Sequence, residues 1–174
     1  MRRLTLADLR AGMPALTPAA GERLAEAASV CLEERCQVLD CELAVTGDHV
    51  ETFRLERLEV SDLLRRTYDD PEEATEEGAC GVAILLAREL TGLAVVRRAR
   101  KGTGFDYYLG TEAALDFHAR LEVSGIRQGT EAQVEARRLQ KRAQLGRSDA
   151  TLGTLIAYAI VVEFGRPEAV VDRR

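Results

Sequence analysis

The stretch "ARLEVSGI", residues 119–126, decides how the rest of the chain is read. Its branched and small residues suit a short β-strand, yet Glu122 stands in the middle of it. Side chains alternate across a strand, so Arg120, Glu122 and Ser124 share one face and Leu121 and Val123 the other. One face is therefore polar, and the other is suited to packing against a helix.

Outward from this strand the flanking segments alternate in type. Asp70-Pro71 opens a helix, "PEEATEEGACGVAILLARELTG", that ends at Gly92. Its acidic first turns suit a helix N-terminus, and the small residues Gly78, Ala79, Gly81 and Ala83 make a thin section that would let it approach a sheet closely. "LAVVRRARKGTG" reads as a strand running into a Gly-rich turn, and "FDYYLG" as a second short strand. After the central strand, "TEAQVEARRLQKRAQLG" is an amphipathic helix with Thr130 as cap and Gly146 as stop. "TLIAYAIVVEFGRP" is an apolar strand ended by Gly165 and Pro167. The order from residue 70 is helix, three strands, helix, strand.

The first 69 residues are additional to this core. Thr17-Pro18 starts a helix, and "CELAVTGDHVETFRLERLEV" alternates around Gly47-Asp48 as a β-hairpin. Ser61 caps a short helix through Leu63 and Leu64. The fold class expected is α/β (α+β), in one domain spanning 1–174: a helix and hairpin extension over 1–69 and the core over 70–174. The extension could pack on the core, form a homo-oligomer contact, or dock a protein partner.

Composition bounds the function. With 46% hydrophobic and 30% charged residues, the chain is neither disordered nor membrane-embedded. No apolar run approaches the roughly 18 residues that cross a bilayer, and Asp8 and Arg10 interrupt what begins like a signal peptide. A cytoplasmic location is the expectation. The four cysteines complete no zinc-binding pattern and read as reduced core residues, and His49 and His118 as incidental.

Charge is uneven. Residues 1–92 hold 10 basic and 19 acidic side chains, whereas residues 93–147 hold 11 basic and 6 acidic. A basic second part suggests an anionic partner, and Arg97, Arg98, Arg100, Arg137, Arg138 and Arg142 are the candidates to contact phosphates. Of 24 basic residues only Lys101 and Lys141 are lysines. A lysine kept among arginines suits a place where a compact point charge is required.

Asp106 opens the second core strand and Glu122 lies in the third, so adjacent antiparallel strands can bring the two carboxylates to one end of a sheet. Such a pair suits a hard divalent cation such as Mg²⁺ or Mn²⁺, which can polarise a phosphate and activate water. A nearby lysine would stabilise charge developing on the phosphate. Each residue also has a purely structural account. Asp106 follows a turn where aspartate is common, Glu122 can pair with Arg120 or a cross-strand arginine on a solvated sheet face, and Glu76 can serve the helix dipole.

Order and motif together resemble the PD-(D/E)XK nuclease superfamily over about residues 70–166. "GFDYYLG" is similar to the family's Asp segment and "LEVSG" to its (Asp/Glu)-x-Lys tripeptide. The resemblance implies a restriction-endonuclease-like core and a Mg²⁺- or Mn²⁺-dependent nuclease, acting on DNA more than RNA and working in a defence or mobile-element system. It implies Asp106, Glu122 and Glu76 as metal ligands, Glu76 coming from the first core helix with Glu77 next in line. Ser124 departs from the pattern, since it stands where the family's lysine would be. Some members recruit the basic residue from the following helix, which here offers Lys141, and Lys101 is the other candidate. The alternative is a catalytically inactive nuclease-like subunit that binds a protein through its acidic N-terminal region, or a nucleic acid. Segments such as "ATEEGA" and "KGTGFDYYLG" are also similar to bacterial proteins with no assigned activity.

Overall fold

A computed structural model describes residues 1–174. β1 (Arg2–Thr5) leads through a 3-10 turn into α1 (Pro18–Glu33), where Thr17 Oγ1 accepts from the Ala20 amide at 3.2 Å. β2 (Asp40–Gly47) and β3 (Glu51–Glu56) form the expected hairpin. α2 (Asp62–Thr67) is capped by Ser61, and α3 (Pro71–Thr91) by Asp70, which accepts from the Glu72 and Glu73 amides. Gly92 ends α3 in the left-handed region, which glycine enters without a Cβ clash.

β4 (Ala94–Arg98), β5 (Tyr107–Gly110) and β6 (Ala119–Ile126) then run as an antiparallel meander. α4 (Glu131–Leu145) begins in a reciprocal cap between Thr130 and Gln133. After the four-residue α5 (Asp149–Leu152), β7 (Ile156–Glu163) lies parallel to β6, and β8 (Glu168–Arg173) returns antiparallel to β7. The fold is mixed α/β, with an eight-stranded sheet in the order β1-β3-β2-β8-β7-β6-β5-β4.

The N-terminal hairpin extends the core sheet, because β2 pairs in parallel with β8. β1 and β8 are absent from the sequence reading. Gly165 and Pro167, expected to stop the last strand, instead turn the chain between β7 and β8. Part of the acidic excess of the extension is met within it, by Arg65 on Glu33 and Arg10 on Glu22, while Arg23 reaches across to Glu73 and Glu77 of α3.

Helices cover both faces. Leu121, Val123, Ile160 and Val162 join α1 and α3 in one core of 36 buried residues. On the opposite face, Val134 of α4 packs with Val161 and Val170, and Leu145 with Ala157 and Ala159. β7 is thus buried on both sides, which explains its unbroken apolar run.

Two expectations need correction. The glycines of α3 admit α1, since a Cβ on Gly78 would lie 2.9 Å from Ala28 Cα and one on Gly81 would lie 3.0 Å from Leu24 O. The close approach to the sheet is made by Thr75 and Ala79 at Gly125 of β6, where an added Cβ would lie 3.0 Å from Ala79 Cβ. The cysteines are not all reduced, since Cys36 and Cys41 form a disulfide across the α1–β2 connection, leaving Cys31 and Cys80 free. No helix is long and apolar enough to cross a membrane.

Candidate active site

The polar face of β6 is not solvated, because α4 lies over it. Arg120, Glu122 and Ser124 are 1%, 2% and 8% exposed. Each must therefore find its partners inside the protein. Arg120 turns to Ser148, Asp149 and the carbonyls of Leu145 at the end of α4 and Leu155 just before β7, so the expected Arg120–Glu122 pairing does not form. Ser124 Oγ accepts from Arg137 at 2.8 Å. Glu122 Oε1 accepts from Lys141 Nζ at 2.6 Å and from Gln144 Nε2 at 2.9 Å.

Helix geometry accounts for the set. Arg137, Lys141 and Gln144 are spaced i, i+4 and i+7 and share one face of α4, while Glu122 and Ser124 are spaced i and i+2 on β6. Lys141 thus stands one helical turn along from the arginine that meets Ser124, the position where the resemblance led a lysine to be expected.

Asp106 enters from the start of β5. Its amide donates to Leu121 O at 2.8 Å and its Oδ2 accepts from the Val123 amide at 2.9 Å, which pins the carboxylate on the same strand as Glu122. Arg98 lies 3.6 Å from Asp106 Oδ1, with its guanidinium 4.5 Å from the Tyr107 ring centre.

Asp106, Glu122, Ser124, Arg137, Lys141 and Gln144 line an open cleft of about 310 Å³, joined from α3 by Glu76 and Cys80. Glu76 is exposed on its rim, whereas Glu77 faces away and pairs with Arg23. Burial, followed by the neighbouring charge of Asp106, pushes the Glu122 carboxyl up to about 7, although Lys141 pulls the other way. Burial and Asp106 also push the Cys80 thiol up to about 12, which favours its protonated form at neutral pH.

Other candidates lie elsewhere. Lys101 is exposed on the β4–β5 turn and does not line the cleft. Arg138 and Arg142 face a separate cleft of about 480 Å³ and are drawn to Asp172 there. Arg97 and Arg100 are exposed and form no ion pair. Cys80 and Gln144 escaped the sequence reading. Their signals were spacings: Cys80 is i+4 from Glu76, and Gln144 is i+3 from Lys141.

No three His, Cys, Asp or Glu side chains gather closely enough to enclose a metal by themselves. Asp106 and Glu122 nonetheless suit Mg²⁺ or Mn²⁺ in donor type and number, because Mg²⁺ is commonly held by one or two carboxylates with water and substrate oxygens completing its shell. A carboxyl held up toward neutral pH by burial and then by a neighbouring carboxylate is also one that a cation would relieve. In comparisons with known proteins, no family model matches this chain, and no curated protein or solved structure is significantly similar to it.

Proposed function

We propose that this protein is a divalent-cation-dependent nuclease that hydrolyses phosphodiester bonds, with DNA the first substrate to test. The observation that carries the proposal is Lys141: one of two lysines in the chain, it reaches from α4 to Glu122 beside Asp106. The order of core elements and the resemblance to PD-(D/E)XK nucleases support the same reading.

Asp106 and Glu122 would hold the Mg²⁺ or Mn²⁺, with Glu76 on the rim of the same cleft as the third candidate ligand. The bound ion would supply charge neutralisation at the phosphate and acidify a water. The remaining work falls to the chain's own residues. Lys141 holds Glu122 in place and offers its ammonium to the charge that grows on the phosphate as water adds and the P–O bond breaks. Gln144 fixes the same Glu122 oxygen, which leaves Oε2 as the freer one. Arg137 sets a second cation on the wall, anchored by Ser124.

A second reading, an inactive nuclease-like subunit that binds a protein or nucleic-acid partner, draws on the same ion pair as a purely structural bridge between α4 and β6. One experiment separates the two. The purified protein is incubated with single- and double-stranded DNA and RNA in Mg²⁺ or Mn²⁺, beside Asp106→Ala and Glu122→Ala. The nuclease reading expects cleavage that both substitutions abolish. Absence of cleavage, or cleavage that survives both changes, overturns it.

A further inference from the structure

We infer that the substrate is single-stranded nucleic acid, received beside the cleft by a stack of Tyr108, Phe117 and Arg97. The inference rests on the nuclease reading for the chemical class of the strand, but its own observations are separate.

The first observation is the stack. Phe105 meets Tyr108 edge-on with ring centres 4.9 Å apart, Tyr108 stacks on Phe117 at 4.1 Å with planes 20° apart, and Arg97 lies over Phe117, 5.3 Å from its centre. Phe117 is 37% exposed, on a connection tied down rather than loose. Asp116 accepts from the Thr111 amide and hydroxyl, and the His118 amide donates to Leu109 O at 2.8 Å. The stack therefore presents a fixed aromatic surface with a guanidinium against it, groups on which a base can lie.

The second observation is position. Tyr108 pairs with Arg120 across β5 and β6, and each lies two residues from a cleft carboxylate, Asp106 or Glu122. Strand alternation puts all four on the face covered by α4, so the stack adjoins the carboxylate pair at about 7 Å along the strand.

The third is uncompensated charge. Most arginines on this molecule sit on carboxylates; among the basic side chains that form no ion pair, Arg97, Arg100, Lys101 and Arg147 are exposed and lie on β4, the turn after it and the end of α4. Gly104 brings Arg100, Lys101 and Arg147 onto one rim, and Arg97 joins the stack itself. The Gly104 φ is +87°, and a Cβ there would lie 2.9 Å from Gln144 O, so the turn bearing Arg100 and Lys101 is seated on the end of α4 next to Arg147. Free cations beside an aromatic surface match a single strand, whose phosphates and base faces are both accessible. A duplex buries its base faces and would gain nothing from the stack.

The test measures binding, not cleavage, with EDTA present. Fluorescence anisotropy compares a short labelled single-stranded DNA with its blunt duplex at one salt concentration. Single strand should bind roughly ten-fold tighter or better, and Phe117→Ala should weaken it by roughly ten-fold, with Phe117→Trp retaining affinity. Arg97→Gln, a surface change, should also weaken it. Equal affinity for duplex, no binding of either, or a folded Phe117→Ala protein that binds as before overturns the inference. Binding that depends on Phe117, without any cleavage in Mn²⁺, leaves the inference standing and overturns the nuclease reading alone.

Discussion

Lys141 and Glu122 form an ion pair between α4 and β6, Nζ to Oε1 at 2.6 Å, with side chains 18% and 3% exposed. A charge this deeply placed is costly to leave alone, and removing one partner of a buried pair typically costs about 3–5 kcal/mol. Here Gln144 still contacts Glu122, and the carboxyl can take up a proton. Lys141→Met should therefore destabilise the fold by about 2 kcal/mol at pH 8 and by less at pH 5.5. Glu122→Gln combined with Lys141→Met should recover most of that loss, and urea unfolding of the four proteins as a double-mutant cycle measures it.

Glu122 also sets a pH dependence. Its carboxyl is raised from 4.5 to about 7 in the folded chain, so the folded state keeps a proton that the unfolded state has released. Stability from this group is full below about 4.5 and falls as pH rises through about 7. Thermal melts should show that fall in the parent protein, and Glu122→Gln should remove it. Added Mn²⁺, binding the ionised pair, should raise Tm more at pH 8 than at pH 5.5 in the parent and scarcely at all in Glu122→Gln.

Features that depend on neighbouring residues were legible in the sequence. Thr17, Ser61, Asp70 and Thr130 cap their helices as read, since a cap is satisfied within three residues. β1 was invisible because four residues form a strand only through parallel pairing with β3, far along the chain. The carboxylate pair could be proposed from strand order, but the choice between Lys141 and Lys101 could not. That choice depends on how α4 settles across β6, where packing turns Lys141 inward and leaves Lys101 on an exposed turn. The cysteine pairing was equally hidden, because Cys31, Cys36 and Cys41 are evenly spaced and only the fold brings one pair together.

The Cys36–Cys41 disulfide gives a third prediction. It closes a short loop with a sequence separation of 5, for which chain entropy gives about 2 kcal/mol. Thiol titration of the denatured, unreduced protein should find two thiols, Cys31 and Cys80, and four after reduction. Reduction should lower stability by about 2 kcal/mol. Neither Cys36 nor Cys41 lines the cleft, so turnover at temperatures below unfolding should not change.

Ser124 supplies the most direct test of Lys141's role. It accepts from Arg137 one turn along α4 from Lys141 and lines the same cleft, two residues from Glu122. If Lys141 contributes its charge to the reacting phosphate, Lys141→Ala should reduce kcat by roughly 100-fold or more while leaving the affinity for Mn²⁺ within a few-fold. A lysine at 124 would restore an ammonium to the cleft from the strand, displacing Arg137 toward solvent along its flexible stem. Ser124→Lys with Lys141→Ala should then regain at least about ten-fold in kcat over Lys141→Ala alone. Ser124→Gln in the same background fills similar space without charge and should regain nothing. Equal recovery by lysine and glutamine would assign Lys141 to packing alone. Recovery by lysine only would show that the charge, and not the position in sequence, is what the site requires.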